Sequence, residues 1–344
     1  MPTQQLILCR VTCQYVDFGE VDQFSPEAVE KYEDALNKAK EKGIQIKALI
    51  VCHPHNPLGR CYPPETLIEL MKLCNKHKVH LLADEIYALS VFDIEDPEAV
   101  KFQSVLSLGT SQYISSDYLH LLYGMSKDMA SGGLRLGCLH TENEDLMRAM
   151  STISQFHWSG GVNERVATLM LEDEKWMDSF LELSRSRLAE RNKIGRKMLD
   201  DEGIKYYQGA NAGFFLWIDL RPWLHRSSNG PANDPFAAED ALTEKLIENK
   251  VFITNGREMS AEEPGWYRLI FSQDERTVKE GIRRYALTAL STRLTPSKAA
   301  DALQDRPSDQ TQSMMGKGRM PALLGACRDG RNYTPTSTII PAVA

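Results

Sequence analysis

Apolar positions in the first half of the chain follow two rhythms. Strand-sized apolar runs at Lys47–Cys52, Val79–Ala83, Leu119–Gly124 and Leu134–His140 are separated by segments with helical spacing. Such alternation predicts an α/β layer fold with a mostly parallel sheet covered on both faces. The first helix is punctuated by Ser25 as N-cap, Pro26 in the first helical position and Gly43 past its end. A second helix is expected near Pro64–His77. From Asn163 to about Leu199 the pattern is helical. Beyond Ile204, strands at Gly213–Leu220, Val251–Thr254 and Trp266–Ser272 mix with helices around Phe236–Asn249 and Glu275–Leu290, which reads as a smaller α+β domain.

From Arg293 onward the periodicity stops. Those 52 residues hold five prolines, four glycines and one aromatic, Tyr333. Too little apolar area is available there to offset ordering entropy, so this tail is expected to be disordered. The predicted division is a large domain over residues 1–185, a small C-terminal domain over 186–292 and the tail over 293–344. Two domains also suit 344 residues at roughly 100–200 residues per domain.

Charge and composition narrow the class. The 47 acids and 40 bases leave a net charge of −7, against a nucleic-acid partner, which usually demands a basic face. No apolar run is long enough to cross a bilayer. Met1–Glu20 has one short apolar run, Leu6–Cys9, and no basic start, so it does not read as a signal peptide. Seven scattered cysteines without a Cys-x-x-Cys pair suggest reduced thiols and a cytoplasmic protein.

The chemistry gathers where the predicted strands stop, which is where α/β sheets bind ligands. One strand runs into His53-Pro54-His55-Asn56-Pro57-Leu58-Gly59, and the next into Asp84-Glu85-Ile86-Tyr87. A third runs into Tyr123-Gly124-Met125-Ser126-Lys127-Asp128, followed by Arg135 in Gly133-Leu134-Arg135-Leu136-Gly137. Each piece has an ordinary reading: turn dressing, a helix cap, a surface lysine. Together an amide, a carboxylate, a phenol, a lysine and an arginine converge on one sheet edge. That set matches pyridoxal phosphate (PLP): lysine for a Schiff base, carboxylate for the pyridine nitrogen, phenol and amide for the ring oxygen, arginine for the phosphate.

These four motifs resemble those of class I/II, fold-type-I aminotransferases. The stretch Asn211–Leu220 and Gly265-Trp266-Tyr267-Arg268 are similar to the 1-aminocyclopropane-1-carboxylate (ACC) synthase-like branch, fungal members included. The resemblance covers roughly Cys9 to Leu290. It implies a three-layer PLP-dependent transferase large domain with a small α+β domain, acting on a small-molecule amino acid as a homodimer. Lys127 would be the Schiff-base and proton-shuttling residue, and Asp84 the partner of the pyridine nitrogen. Asn56 and Tyr87 would meet the ring oxygen, Ser126 and Arg135 the phosphate, and Arg268 the substrate α-carboxylate. Transamination is the default reaction. The alternatives are carbon–sulfur elimination, as in fungal secondary metabolism, and an inactive remnant retaining only the fold or dimerisation.

The resemblance also has departures. Gly124 stands where the family often has a phosphate-binding serine. Nothing in Met1–Glu20 resembles the family's glycine-rich phosphate loop, ring-stacking aromatic or partner-reaching tyrosine. Two large-domain strands are then expected to be missing, leaving an open edge or gap beside Lys47–Cys52.

Other features have simpler readings. His53 and His55, like His77 and His80, are expected to be solvated turn and helix-end residues without a metal. The charges of Pro26–Lys42 predict a solvated face with i,i+4 pairs. Trp158, Trp176, Trp217, Trp223 and Trp266 are expected to pack in the core or the domain seam. Arg257 is expected at the surface.

Overall fold

The structure, a computed structural model, describes residues 11–224, 234–293 and 337–342. The first unit holds β1 (Val11–Cys13), α1 (Ala28–Glu41), β2 (Ile46–Cys52), α2 (Pro64–His77), β3 (His80–Asp84), β4 (Leu119–Gly124) and β5 (Gly137–Thr141). Then come α3 (Glu144–Ser154), α4 (Gly161–Glu172) and the long α5 (Glu174–Asp201), which runs unbroken past position 185. The second unit adds β6 (Lys205–Tyr206), β7 (Phe215–Asp219), α6 (Ala237–Glu248), β8 (Thr254–Asn255), α7 (Gly256–Met259), β9 (Trp266–Ile270) and α8 (Glu275–Arg293). The last strand is β10 (Ser337–Ala342).

The large sheet has the order β1-β10-β2-β3-β4-β5, parallel except for β5, which runs antiparallel to β4. Strand alternation aims Leu49, Val51, Leu81, Ala83, Leu119 and Leu121 into the main core, with Tyr32 of α1 and Leu67, Leu70 and Met71 of α2. On the opposite face Ile50, Leu82 and Leu122 are only half-buried, and most of β5 is exposed. The cover expected on both faces is therefore uneven among the described residues.

The expected gap beside β2 is filled by the chain itself. Ile339 to Ala342 pair with Ala48 to Val51, and Ser337 to Ile339 pair with Val11 to Cys13. An open strand edge presents unpaired N–H and C=O groups, and any extended segment can satisfy them. The β-branched run Thr338-Ile339-Ile340 suits the role. The tail is thus not uniformly unstructured; residues 294–336 and 343–344 lie outside the described residues. Removing residues 337–344 is expected to lower Tm by on the order of 5 °C. In hydrogen exchange, the β2 amides should then lose protection while those of β4 keep it.

Local departures from the expected elements have physical reasons. Helix α1 begins at Ala28, after a turn in which the amides of Ala28 and Val29 donate to the carbonyls of Ser25 and Pro26. The Ser25 hydroxyl bonds the Glu27 carboxylate rather than capping the helix. Glu33 of α1 pairs across to Lys76 and His77 of α2, in place of pairs within its own helix. His53 and His55 are fully buried, not solvated. His53 accepts the Tyr62 amide at Nδ1 and meets the Gln103 carbonyl at Nε2, while burial pulls its pKa down to about 4. His80 bonds His120, which in turn bonds Thr141. Trp217 is buried and stacks on Trp266, but Trp158 is 80 % exposed, contrary to its expected packing.

The small sheet, β6-β7-β9-β8, is antiparallel. Leu216, Ile218, Tyr267 and Leu269 point into its own core with Leu199, Leu242 and Ile282. The alternate positions, Trp217 and Arg268, form a cross-strand pair on the other face, and Trp217 joins the large unit's core. Period-two alternation therefore delivers Arg268 to the large sheet.

Candidate active site

The ends of β2, β3 and β4 form the floor of the site. Cys52, the last residue of β2, stands opposite Asp84, the last of β3, which stands opposite Leu122 of β4. The His53 amide donates to the Asp84 carbonyl, and the Glu85 amide to that of Leu122, so the three ends are tied together. Among the described residues the Asp84 carboxylate accepts one hydrogen bond, from the Ile86 amide at 3.2 Å. Burial raises its pKa, opposed by that bond and by the charge of Lys127. A half-buried carboxylate with spare acceptor capacity suits a cationic N–H partner.

Lys127 lies just past β4. Its Nζ sits 5.9 Å from the ring centres of both Tyr87 and Phe214 and makes no hydrogen bond or ion pair among the described residues. Tyr87 is buried, edge-on to Phe214 and Phe215, and burial raises its phenol pKa.

Asn56 projects from the turn after β2. Gly59 closes that turn at φ +66°, and a Cβ there would stand 3.0 Å from the Ala212 carbonyl oxygen. Backbone of the Asn56 turn thereby meets the lead into β7, with the Ala212 amide on the Gly59 carbonyl at 2.9 Å. Across this seam Arg268 Nη1 donates to Asn56 Oδ1 at 2.8 Å, and Nη2 reaches Thr254 Oγ1 at 3.3 Å. Arg268 Nε is buried with no hydrogen-bond partner. Burial lowers the guanidinium's pKa, with Tyr87 and Glu258 opposing. A buried, unsatisfied guanidinium N–H is a docking point for a carboxylate.

Ser126 and Arg135 share a loop closed by the Met125 amide on the Leu136 carbonyl and the Ser131 amide on the Met125 carbonyl. Arg135 does not open a strand as expected. It is exposed, in the left-handed region at φ 55°, and its Nη1 donates to the Gly132 carbonyl, while a Cβ at Gly132 would stand 3.7 Å from the Ser126 carbonyl oxygen. The Gly124 departure has a steric reason: a Cβ there would stand 3.0 Å from the Leu136 carbonyl oxygen.

The structure thus brings Asn56, Asp84, Tyr87, Lys127 and Arg268 to one edge, with Ser126 and Arg135 on an adjoining loop. Sequence reasoning left out Cys52, Phe214 and Thr254 as site neighbours. Phe214 lies within the stretch Asn211–Leu220, but nothing local says that it reaches Lys127. Arg257 bonds Asp234 and Asp240 at the surface. No group of His, Cys, Asp and Glu suited to a metal occurs among the described residues.

A mixed, mostly parallel sheet whose carboxyl ends carry a lysine and an aspartate, with an arginine of the small sheet reaching them, is the architecture of α/β PLP-dependent transferases. The chain belongs to the aminotransferase class I and II family, whose model matches residues 3–284. It is 32% identical over 283 residues to human 1-aminocyclopropane-1-carboxylate synthase-like protein 1, covering 82% of this chain and 54% of that protein. It is 34% identical over 253 residues to 1-aminocyclopropane-1-carboxylate synthase 2 of Solanum lycopersicum, covering 73% and 50%. The chain therefore spans about half the length of the curated relatives it matches. The fold is also that of Thermus thermophilus aspartate aminotransferase, at TM-score 0.60 and 24% identity over 76% of this chain and 60% of that one.

The family is PLP-dependent, and the residues present fit that cofactor. Asp84 has acceptor capacity for a ring N–H, the Lys127 amine is unpaired, and Arg268 holds an unsatisfied donor. Ser126 and Arg135 place a hydroxyl and a cation on the adjoining loop.

Proposed function

We propose that the chain forms the lysine-bearing part of a PLP-dependent enzyme acting on an α-amino acid, with transamination as its reaction. The observation that carries this reading is the Arg268–Asn56 bond at 2.8 Å, which joins residues 212 positions apart beside Lys127 and Asp84. Bound PLP supplies an electron sink for the pair released at the substrate α-carbon. Lys127 would anchor the cofactor and move the α-carbon proton, Asp84 would hold the ring nitrogen protonated, and Tyr87 and Asn56 would serve the ring oxygen. Arg268 takes the substrate α-carboxylate through two N–H groups.

The test is absorbance of the protein mixed with PLP, then borohydride reduction and peptide mapping. A visible band with reduced cofactor on Lys127 is the expected result; indiscriminate labelling of surface lysines would sink the proposal. Turnover with amino acid and keto acid partners then separates transamination from elimination. Release of ammonia and a thiol from a sulfur-containing amino acid would replace the first reaction by the second.

The finer setting is a cytoplasmic homodimer. Cys13, Cys52, Cys61, Cys74 and Cys138 are all free thiols, in keeping with a reducing compartment. Among the described residues, no helix is long and apolar enough to cross a membrane. Met147, Met150 and Ile153 of α3 and Val162, Val166 and Leu169 of α4 are exposed, with Phe156 and Trp158 between them at 82 % and 80 %. Large apolar side chains left exposed on two successive helices suit an interface, and a second copy of the chain is its proposed occupant. In light scattering after size exclusion, the wild type should run as a dimer and Phe156→Ser/Trp158→Ser as a monomer. An unchanged mass would exclude this face.

A further inference from the structure

Asp128 follows Lys127 directly but serves a different turn. It is 4 % exposed, and its oxygens accept from the Leu89 amide at 2.8 Å and the Ser90 hydroxyl at 2.6 Å. Both donors belong to the turn that carries Tyr87, since the Ser90 amide donates back to the Tyr87 carbonyl at 3.0 Å. The same turn is held from two further sides. Arg185 Nε donates to the Leu89 carbonyl at 3.0 Å, and the Gly213 amide to the Ser90 carbonyl at 2.9 Å, next to Phe214.

One ring beside the Lys127 amine, Tyr87, is carried by this turn, the other, Phe214, is bonded to it through Gly213, and one buried carboxylate links the turn to the loop after β4. Asp128 is screened from water, its two oxygens are divided between a main-chain and a side-chain donor, and its own chain neighbour is the reacting amine. Burial raises its pKa, and hydrogen bonding from Ser90, Leu89 and the Tyr123 phenol opposes the rise, as for a carboxylate kept for the donors it gathers.

We propose that Asp128 is a positioning residue that holds the Tyr87 phenol and the Phe214 ring in register with the Lys127 amine by bridging the turn after β3 and the loop after β4. This rests on the reading of Lys127 as the reacting amine.

The first measurement needs no cofactor. Brief acetylation at one pH, quantified peptide by peptide, gives the reactivity of Lys127 relative to Lys38 on α1. Loss of a two-ring cage around an ammonium is expected to raise Lys127 labelling about three-fold in Asp128→Ala. Ser90→Ala, which removes one of the two bonds, should give a smaller rise, and Asp128→Asn should stay near wild type. Unchanged relative labelling in both Asp128→Ala and Ser90→Ala would overturn the proposal, whatever their melting temperatures. Should Asp128→Ala fail to fold, Ser90→Ala decides: a raised ratio supports the bridge and an unchanged one rejects it.

In the PLP-loaded protein, Asp128→Ala is expected to lower kcat about ten-fold with KM little changed, a loss a purely structural residue would not confine to kcat. If the wild type fails to trap PLP on Lys127, the functional reading falls while the labelling comparison still judges the bridge.

Discussion

Lys127→Ala is expected to abolish borohydride-stable attachment of PLP and to lower turnover by at least about 10⁴-fold, the upper range for loss of a proton-transferring group. In the proposed reaction the amine combines two roles, so no neighbour substitutes for it. Asp128 is buried and committed to Leu89 and Ser90, while the nearby phenol of Tyr87 is pushed up in pKa by burial and is a poor base near neutrality. The fold should not suffer. Lys127 is exposed and makes no hydrogen bond or ion pair among the described residues, so the melting temperature should stay within a degree or two of wild type. A variant that melts normally yet retains more than a hundredth of wild-type turnover would remove Lys127 from the chemistry.

Asp84→Asn carries the second-largest effect. The carboxylate lies on the β3 end between Cys52 and Leu122, half-buried, where a charge facing a cationic ring nitrogen is little screened by water. Its neutral isostere fills the same space and can accept one hydrogen bond but brings no charge. Turnover is expected to fall about 10²–10³-fold, the range for removing one preorganised electrostatic partner. The pH dependence has a definite sign. In the cofactor-free protein burial holds the Asp84 pKa above its ordinary value, whereas a bound ring cation favours the carboxylate and lowers it. By linkage, PLP affinity weakens as pH falls through the raised value, and Asp84→Asn should lose that part of the profile. A variant with wild-type affinity and an unchanged profile would exclude the pairing.

Much of this site could be read along the chain because its parts are local. Asn56, Asp84 and Lys127 each follow an apolar run within a few residues, and a parallel sheet brings successive strand ends to one edge. The features that escaped are long-range or conformational. Arg135 reads as the start of a strand, but in three dimensions the loop must close on itself, and a left-handed residue at φ 55° turns its side chain back to Gly132. His53 and His55 read as solvated because they flank prolines in a turn; packing against Phe102, Tyr62 and Phe24 buries them. Phe214 reaches Lys127 only because Gly213 is bonded to the Ser90 carbonyl.

Hydrophobic periodicity and strand-end chemistry, both properties of short stretches, by themselves determined the α/β class, the main helices and strands and which residues follow the strand ends, while the family was implied by the resemblance of four short motifs. Tertiary structure decided which distant pieces meet: β10 beside β2, Arg268 against Asn56, and the Tyr87 turn against Asp128. Those meetings satisfy backbone edges and buried polar groups, and that demand is set by the whole packed chain, so no local pattern announces the partner that meets it.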